Sequence, residues 1–144
     1  MSLDFVRPWA PVVLSLLRML AAASFATHGA MKLFGWPAPF PQPVSGMLFA
    51  AGVIEVVGGA LLVLGLFSGL AALVLSGEMA IAYFLAHAGK SFFPVLNGGE
   101  PAMLYCWIFL LVAAYGPGPI SLDQRFGRNE RSGRTQKQNA PYTE

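Results

Sequence analysis

Three ionisable residues stand inside long apolar runs: Arg18, Glu55 and Glu78. A charge at the centre of a membrane helix costs about 2.5–3.5 kcal/mol on insertion scales. Groups placed there must offset one another. Glu55 falls midway along one apolar run and Glu78 midway along the next, and only a tight turn separates the runs. Their carboxyls therefore lie at similar depth. Arg18 sits nearer one end of its own run, but its side chain is long. The arrangement predicts one buried cluster, with Arg18 between Glu55 and Glu78 as a catalytic or proton-handling centre. One guanidinium does not balance two carboxyls, so the pair titrates as a coupled unit and can hold or relay a proton. The alternative is an ion network that only fixes how the helices dock.

A second set of polar residues lies toward the other end of the runs. His28 and Lys32 are one helical turn apart and share a face. His87 ends a later run at the matching level, and Asn97 and Glu100 flank the start of the last one. Such residues suit a quinone site. A His or Lys donates a hydrogen bond to a quinone carbonyl, aromatics such as Phe34, Tyr83 and Phe84 enclose the ring, and Glu100 takes the proton. A pair of histidines also suits haem, and interfacial side chains of this kind often just tie loops to helix ends. A metal site from His28, His87 and Glu100 has no supporting local spacing. On an ideal helix Glu78 and His87 point to opposite faces, so the two polar sets are expected to be separate unless the helix bends near Tyr83. Cys106 is the single cysteine. Neither an intrachain disulfide nor a Cys-x-x-Cys pair can form, so redox chemistry needs a bound cofactor or a partner.

The elements that must position these groups follow from composition. The chain has 144 residues, 56% hydrophobic and 11% charged, against about 25% charged in soluble domains. From Pro11 to Tyr115 the charges are Arg18, Lys32, Glu55, Glu78, Lys90 and Glu100. So few cannot cover a soluble surface, which excludes a soluble globule, a disordered chain and a nucleic-acid binder. Spans are expected at Pro11–Met31, Val44–Leu66 and Leu70–Ala88, with a fourth, short one from Pro101 to Tyr115. Pro37, Pro39, Pro41 and Pro43 forbid helix between the first two. Phe67-Ser68-Gly69 is the expected turn of a hairpin, Gly89 to Gly99 a loop, and Gly116-Pro117-Gly118-Pro119 a stop. Gly52, Glu55 and Gly59 share one face, with Gly58 beside them, and small residues permit close helix approach in lipid. The run from Arg7 to Ala23 loosely imitates a signal peptide, but Arg18 interrupts it, so a retained first span is expected. Arg125, Arg128, Arg131, Arg134 and Lys137 make the end of the chain basic. By the positive-inside rule it is cytoplasmic.

The expected fold is therefore an all-α integral membrane four-helix bundle of up-down topology in the inner (plasma) membrane, with both termini cytoplasmic. It divides into an N-terminal segment 1–10, a transmembrane domain 11–119 and a basic flexible tail 120–144.

The order of these residues resembles the DoxX family of small four-span membrane proteins. The resemblance runs from Arg18 to Asp123. It includes His28-Gly29 with Lys32 and Phe34-Gly35, then Gly52, Glu55 and Gly58-Gly59. Glu78-Met79, Ala82-Tyr83-Phe84 and His87 follow. Phe93-Pro94, Asn97-Gly98-Gly99-Glu100, Leu104-Tyr105, Gly116-Pro117-Gly118 and Ser121-Leu122-Asp123 complete it. The resemblance implies an all-helical membrane bundle. It also implies an association with redox systems, since the family takes its name from a small subunit associated with an archaeal thiosulfate:quinone oxidoreductase and terminal oxidase. On this basis the expected role is a quinone-linked redox subunit. His28, Lys32, Tyr83, His87, Asn97 and Glu100 would bind the quinone and Arg18, Glu55 and Glu78 would manage the proton. The alternatives are a non-catalytic adaptor or assembly factor that docks a redox-enzyme partner, and a small-molecule or ion carrier working as a homo-oligomer. The lipid bilayer is the surrounding in every case.

Overall fold

The computed structural model describes residues 4–127, and among these there is no strand. A short 3-10 turn, Arg7–Trp9, leads into α1, Ala10–Phe34. Then come α2, Gly46–Leu64, and α3, Ser68–Ala86. A single helical turn, α4, Pro94–Asn97, precedes α5, Glu100–Tyr115. Three of these helices are long and apolar enough to cross a membrane. The fourth apolar helix, α5, has 16 residues, or about 24 Å at 1.5 Å per residue. That is less than the ~30 Å hydrocarbon thickness of a typical bilayer.

Glycines set where the helices stop. Gly35 and Gly65 take left-handed backbone angles after α1 and α2, and their N–H groups return to carbonyls of the last turn. Such a cap satisfies carbonyls that the helix leaves without partners. The first cap shifts one boundary. α1 continues past the expected end at Met31, so Lys32 belongs to the helix and not to a loop. The hairpin turn lies at Gly65–Phe67, earlier than expected, and Ser68 and Gly69 already belong to α3. Phe67 itself has φ 48°, a costly angle for a residue with a side chain.

Close packing of α1 on α2 uses the expected small-residue face. A Cβ on Gly29 would meet the Gly52 carbonyl oxygen at 2.7 Å, and one on Gly59 would meet Ala26 Cβ at 2.9 Å. Gly52 itself lies against Lys32 and Leu33. These pairings make α1 and α2 run in opposite directions. Gly58 turns to the other neighbour and contacts Leu75 of α3. α3 in turn packs along α5, where Ser76 Oγ donates to the Cys106 carbonyl at 2.8 Å. The centre is filled by Phe25, Leu62, Leu75, Phe109 and Val112, all essentially inaccessible.

The bundle does not end at Pro119. Asp123 N–H donates to the Gly65 carbonyl, and Ser15 Oγ accepts from Ile120 N–H. The expected domain boundary at Pro119 therefore cuts through a segment fastened to the helices. The expected basic tail from Arg128 onward, and residues 1–3, lie outside the described residues.

Candidate functional site

Register decides which charges meet. With Gly29 at Gly52 and Ala26 at Gly59, the start of α1 faces the end of α2 and its end faces Gly52 and Glu55. Lys32 thus reaches Glu55. Its Nζ donates to Glu55 Oε1 at 2.6 Å, and the two side chains are only 10% and 2% exposed. Arg18 falls instead at Leu62, seven residues beyond Glu55 and about 10 Å along the axis at 1.5 Å per residue. The expected Arg18–Glu55–Glu78 cluster therefore does not form. Lys32 supplies the cation that Arg18 was expected to supply.

Arg18 has a different set of partners. Its guanidinium is wholly buried and donates to four backbone carbonyls. Nε reaches Pro117 O at 2.9 Å, Nη1 reaches Leu62 O and Val63 O, and Nη2 reaches Ile120 O. Leu62 and Val63 lie in the last turn of α2, where helical partners run out; the Leu62 carbonyl also accepts from Gly65 N–H. The planar fork of donors suits such a set of acceptors. Arg18 thereby ties the segment after α5 to α1 and α2. Asp123 completes this clasp. Its carboxylate accepts from Phe67 N–H at 2.9 Å and Ser68 N–H at 2.8 Å, so it caps α3 from a distant part of the chain. Burial pushes the Asp123 carboxyl up. The Ser68 backbone and side chain, the Phe67 N–H and the Arg18 charge outweigh it and hold the carboxyl below its usual range.

Glu78 joins the Lys32–Glu55 pair. It borders a cavity with them. Both of its carboxyl oxygens are buried without a hydrogen-bond partner among the described residues, as is Glu55 Oε2. Lys32, Glu55 and Glu78 thus border one cavity, and the ammonium is paired with Glu55.

The second polar set gathers only in part. A cavity of about 330 Å³ is bordered by His28, Lys32, Glu55, His87 and Tyr105, with Phe25, Phe40, Leu48 and Met79 among its apolar walls. His28 is exposed at its edge and meets the Tyr105 ring edge-on at 6.0 Å. His87 Nδ1 is 3.0 Å from the Asn97 carbonyl oxygen. A carbonyl only accepts, so Nδ1 carries the proton and Nε2 of the neutral ring is left as an acceptor. Tyr83, expected as a binding residue, stacks beside His87 at 6.4 Å but does not itself border the cavity.

Asn97 and Glu100 stand apart from the cavity. Asn97 is buried, but its amide serves the loop: Nδ2 donates to Ser91 O at 2.9 Å and Oδ1 accepts from Gly99 N–H at 2.7 Å. Tyr83 Oη lies 3.4 Å from the same amide. Glu100 is exposed in the first turn of α5, where a carboxylate suits the helix dipole. His28, His87 and Glu100 do not converge, and among the described residues no three acidic, His or Cys side chains gather as a metal site. The two polar sets, expected to be separate, meet at Lys32 and Glu55, which border both cavities. Tyr105 was not singled out in the sequence as a site residue. It faces Ser24, with their hydroxyls 2.8 Å apart, and its position one turn before Phe109 was the available signal.

The DoxX family model matches residues 13–88. An uncharacterized protein of Haemophilus influenzae is 46% identical over 127 residues, which cover 81% of this chain and 92% of that protein. The chain belongs to the DoxX family. No solved structure matches it. The matched DoxX region contains Arg18, His28, Lys32, Glu55, Glu78 and His87, so the clasp arginine and the buried ion pair both lie within it. With the apolar helices, DoxX membership makes this a membrane-embedded protein whose outer helix faces contact lipid.

Proposed function

We propose that this DoxX protein crosses the inner membrane four times, with both termini cytoplasmic. We further propose that it serves as a quinone-linked redox subunit, with the headgroup bound in the cavity bordered by His28, Lys32, Glu55, His87 and Tyr105. The orientation rests on the basic residues from Arg125 onward. α5, though short, spans with its ends near the interfaces. The observation that carries the binding reading is a buried Lys–Glu pair at the junction of an aromatic, histidine-edged cavity in lipid.

The residues fit a quinone. The cavity volume of about 330 Å³ lies in the range of about 300–1,000 Å³ usual for small-molecule sites. Its walls are apolar, with donors at the edge. A bound quinone would supply the capacity to take up two electrons and two protons. The chain's own groups hold and orient it. Lys32 Nζ and the His28 ring offer hydrogen bonds to one carbonyl oxygen. His87 Nε2 offers an acceptor to a hydroxyl. Tyr105 and Phe25 flank the ring. Glu55 holds the ammonium in place. Electrons come from a partner redox enzyme.

The test is titration of the purified protein with ubiquinone-1, followed by tryptophan fluorescence. Saturable binding is expected, weakened about tenfold by His28→Ala, the loss of one hydrogen bond to a buried acceptor. Absence of saturable binding to the unmodified protein refutes the reading.

A further inference from the structure

The larger cavity lies between α2 and α3 and has a volume of about 520 Å³. Ile54, Leu73, Val74, Ile81 and Leu85 border it and are themselves exposed on the outside of the bundle. Its mouth therefore opens toward hydrocarbon. The charged groups on its wall are Lys32, Glu55 and Glu78.

These groups have an unmet demand. Lys32 takes Glu55 Oε1, while Glu55 Oε2 and both Glu78 oxygens accept no hydrogen bond among the described residues. The Glu55 side chain is 2% exposed, so a donor reaches it from the cavity that it borders. Carboxylates accept and do not donate. What satisfies them must bring N–H or O–H donors, and one positive charge would make the group neutral. Unbalanced charge in hydrocarbon is costly. A metal cation is a poor match, because hard cations need about six oxygen ligands and the rest of the wall is apolar. A proton would neutralise the charge but leave the apolar volume without a role.

We propose that the α2–α3 cavity binds a lipophilic organic cation, a protonated amine carried on an apolar body. The ammonium N–H groups donate to Glu55 Oε2 and the Glu78 carboxylate. The body lies against Ile54, Val74 and Ile81 and enters from the lipid. The site adjoins the proposed quinone cavity: Lys32, Leu48, Glu55, Met79, Ala82 and Ala86 border both, whereas Glu78 borders only this one and His28 and Tyr105 only the other.

The experiment uses the full chain in phosphatidylcholine nanodiscs, with radiolabelled 2-phenylethylamine as probe, empty nanodiscs as reference and 2-phenylethanol as neutral competitor. Saturable amine binding is expected. Glu78→Gln should weaken it by about tenfold or more, the loss of a charge-assisted hydrogen bond. The alcohol should not compete. Gly77→Leu is the second variant. Gly77 borders the cavity, and a Cβ there meets nothing within 4 Å, so a leucine adds bulk at the cavity wall and leaves both carboxyls in the sequence. It should abolish binding while the protein keeps its melting behaviour. If Glu78→Gln fails to fold, Gly77→Leu decides alone. Equal binding in either folded variant, competition by the alcohol as strong as by the amine, or no saturable binding overturns the proposal. His28→Ala separates the two readings, since it should lower ubiquinone-1 affinity and leave amine binding intact.

Discussion

Replacing Lys32 by Met isolates the ion pair at the centre of the molecule. The ammonium is 2.6 Å from Glu55, and neither side chain is more than 10% exposed, so screening by water takes little from the interaction. Without the cation, Glu55 loses its single hydrogen-bond partner and Glu78 keeps only a like charge in reach. Removing one member of a buried pair costs about 3–5 kcal/mol. The reverse change, Glu55→Gln, should cost less. Lys32 lies near the end of α1, 5.5 Å from the centre of the Phe40 ring, and its long stem can carry the charge outward. Glu55 is short and sits mid-helix. Unfolding in mixed micelles with increasing dodecyl sulfate would measure both changes. Lys32→Met with Glu55→Gln should be more stable than Lys32→Met alone, because no charge is then stranded at this pair. A Lys32→Met variant within about 0.5 kcal/mol of the parent, the range of ordinary surface changes, would refute the reasoning. So would a double variant less stable than the single one.

Other perturbations test the frame around that pair. Asp123→Ala removes the cap of α3 and should cost about 0.5–2 kcal/mol, toward the lower end because the residue is partly exposed. Since the folded Asp123 carboxyl lies below its ordinary value of 3.8, its contribution is complete above that pH. It is lost as pH falls through the lower folded value, and acid unfolding of Asp123→Ala should lack this component. Arg18→Met leaves Val63 O and Ile120 O without their side-chain donor. The cost of about 1–3 kcal/mol per orphaned buried carbonyl is offset in part by removal of a buried charge. Proteolysis after α5 should accelerate in this variant as the segment comes loose. Gly29→Ala drives a methyl into the Gly52 carbonyl, which is backbone and cannot turn aside. A loss of about 1–3 kcal/mol is expected, whereas Gly77→Ala, facing open space, should be neutral or stabilising in the same assay.

Much of the frame could be read from the residues alone. Long apolar runs with few charges specify membrane helices, and the Gly52–Glu55–Gly59 spacing specifies the face that α2 offers to α1. The tight turn between α2 and α3 does bring Glu55 and Glu78 to the wall of one cavity. The partner of Glu55 was misread for the opposite reason. The loop from Gly35 to Ser45 leaves the register of α1 against α2 undetermined. α1 continues to Phe34 before the Gly35 cap, which brings Lys32, one residue past the expected end of the span, inside the bundle. Only the contacts of Gly29 and Gly59 fix that register, and they carry Arg18 away from the acids. Asp123 was legible as part of a recurring pattern but not as a cap, since it acts on a helix that begins 55 residues earlier in the chain. Asn97 and Glu100 looked like site residues because polar groups beside an apolar helix are scarce, yet one fastens a loop and the other faces outward.

Redox-induced infrared difference spectroscopy tests the proposed quinone site most directly. With ubiquinone-1 added and reduced electrochemically, the oxidised spectrum should show a quinone carbonyl band at lower frequency than free quinone, as hydrogen bonds from Lys32 or His28 require. Reduction should also perturb a carboxyl band that disappears in Glu55→Gln. A carbonyl band at the free-quinone position, with no carboxyl change on reduction, would contradict the account.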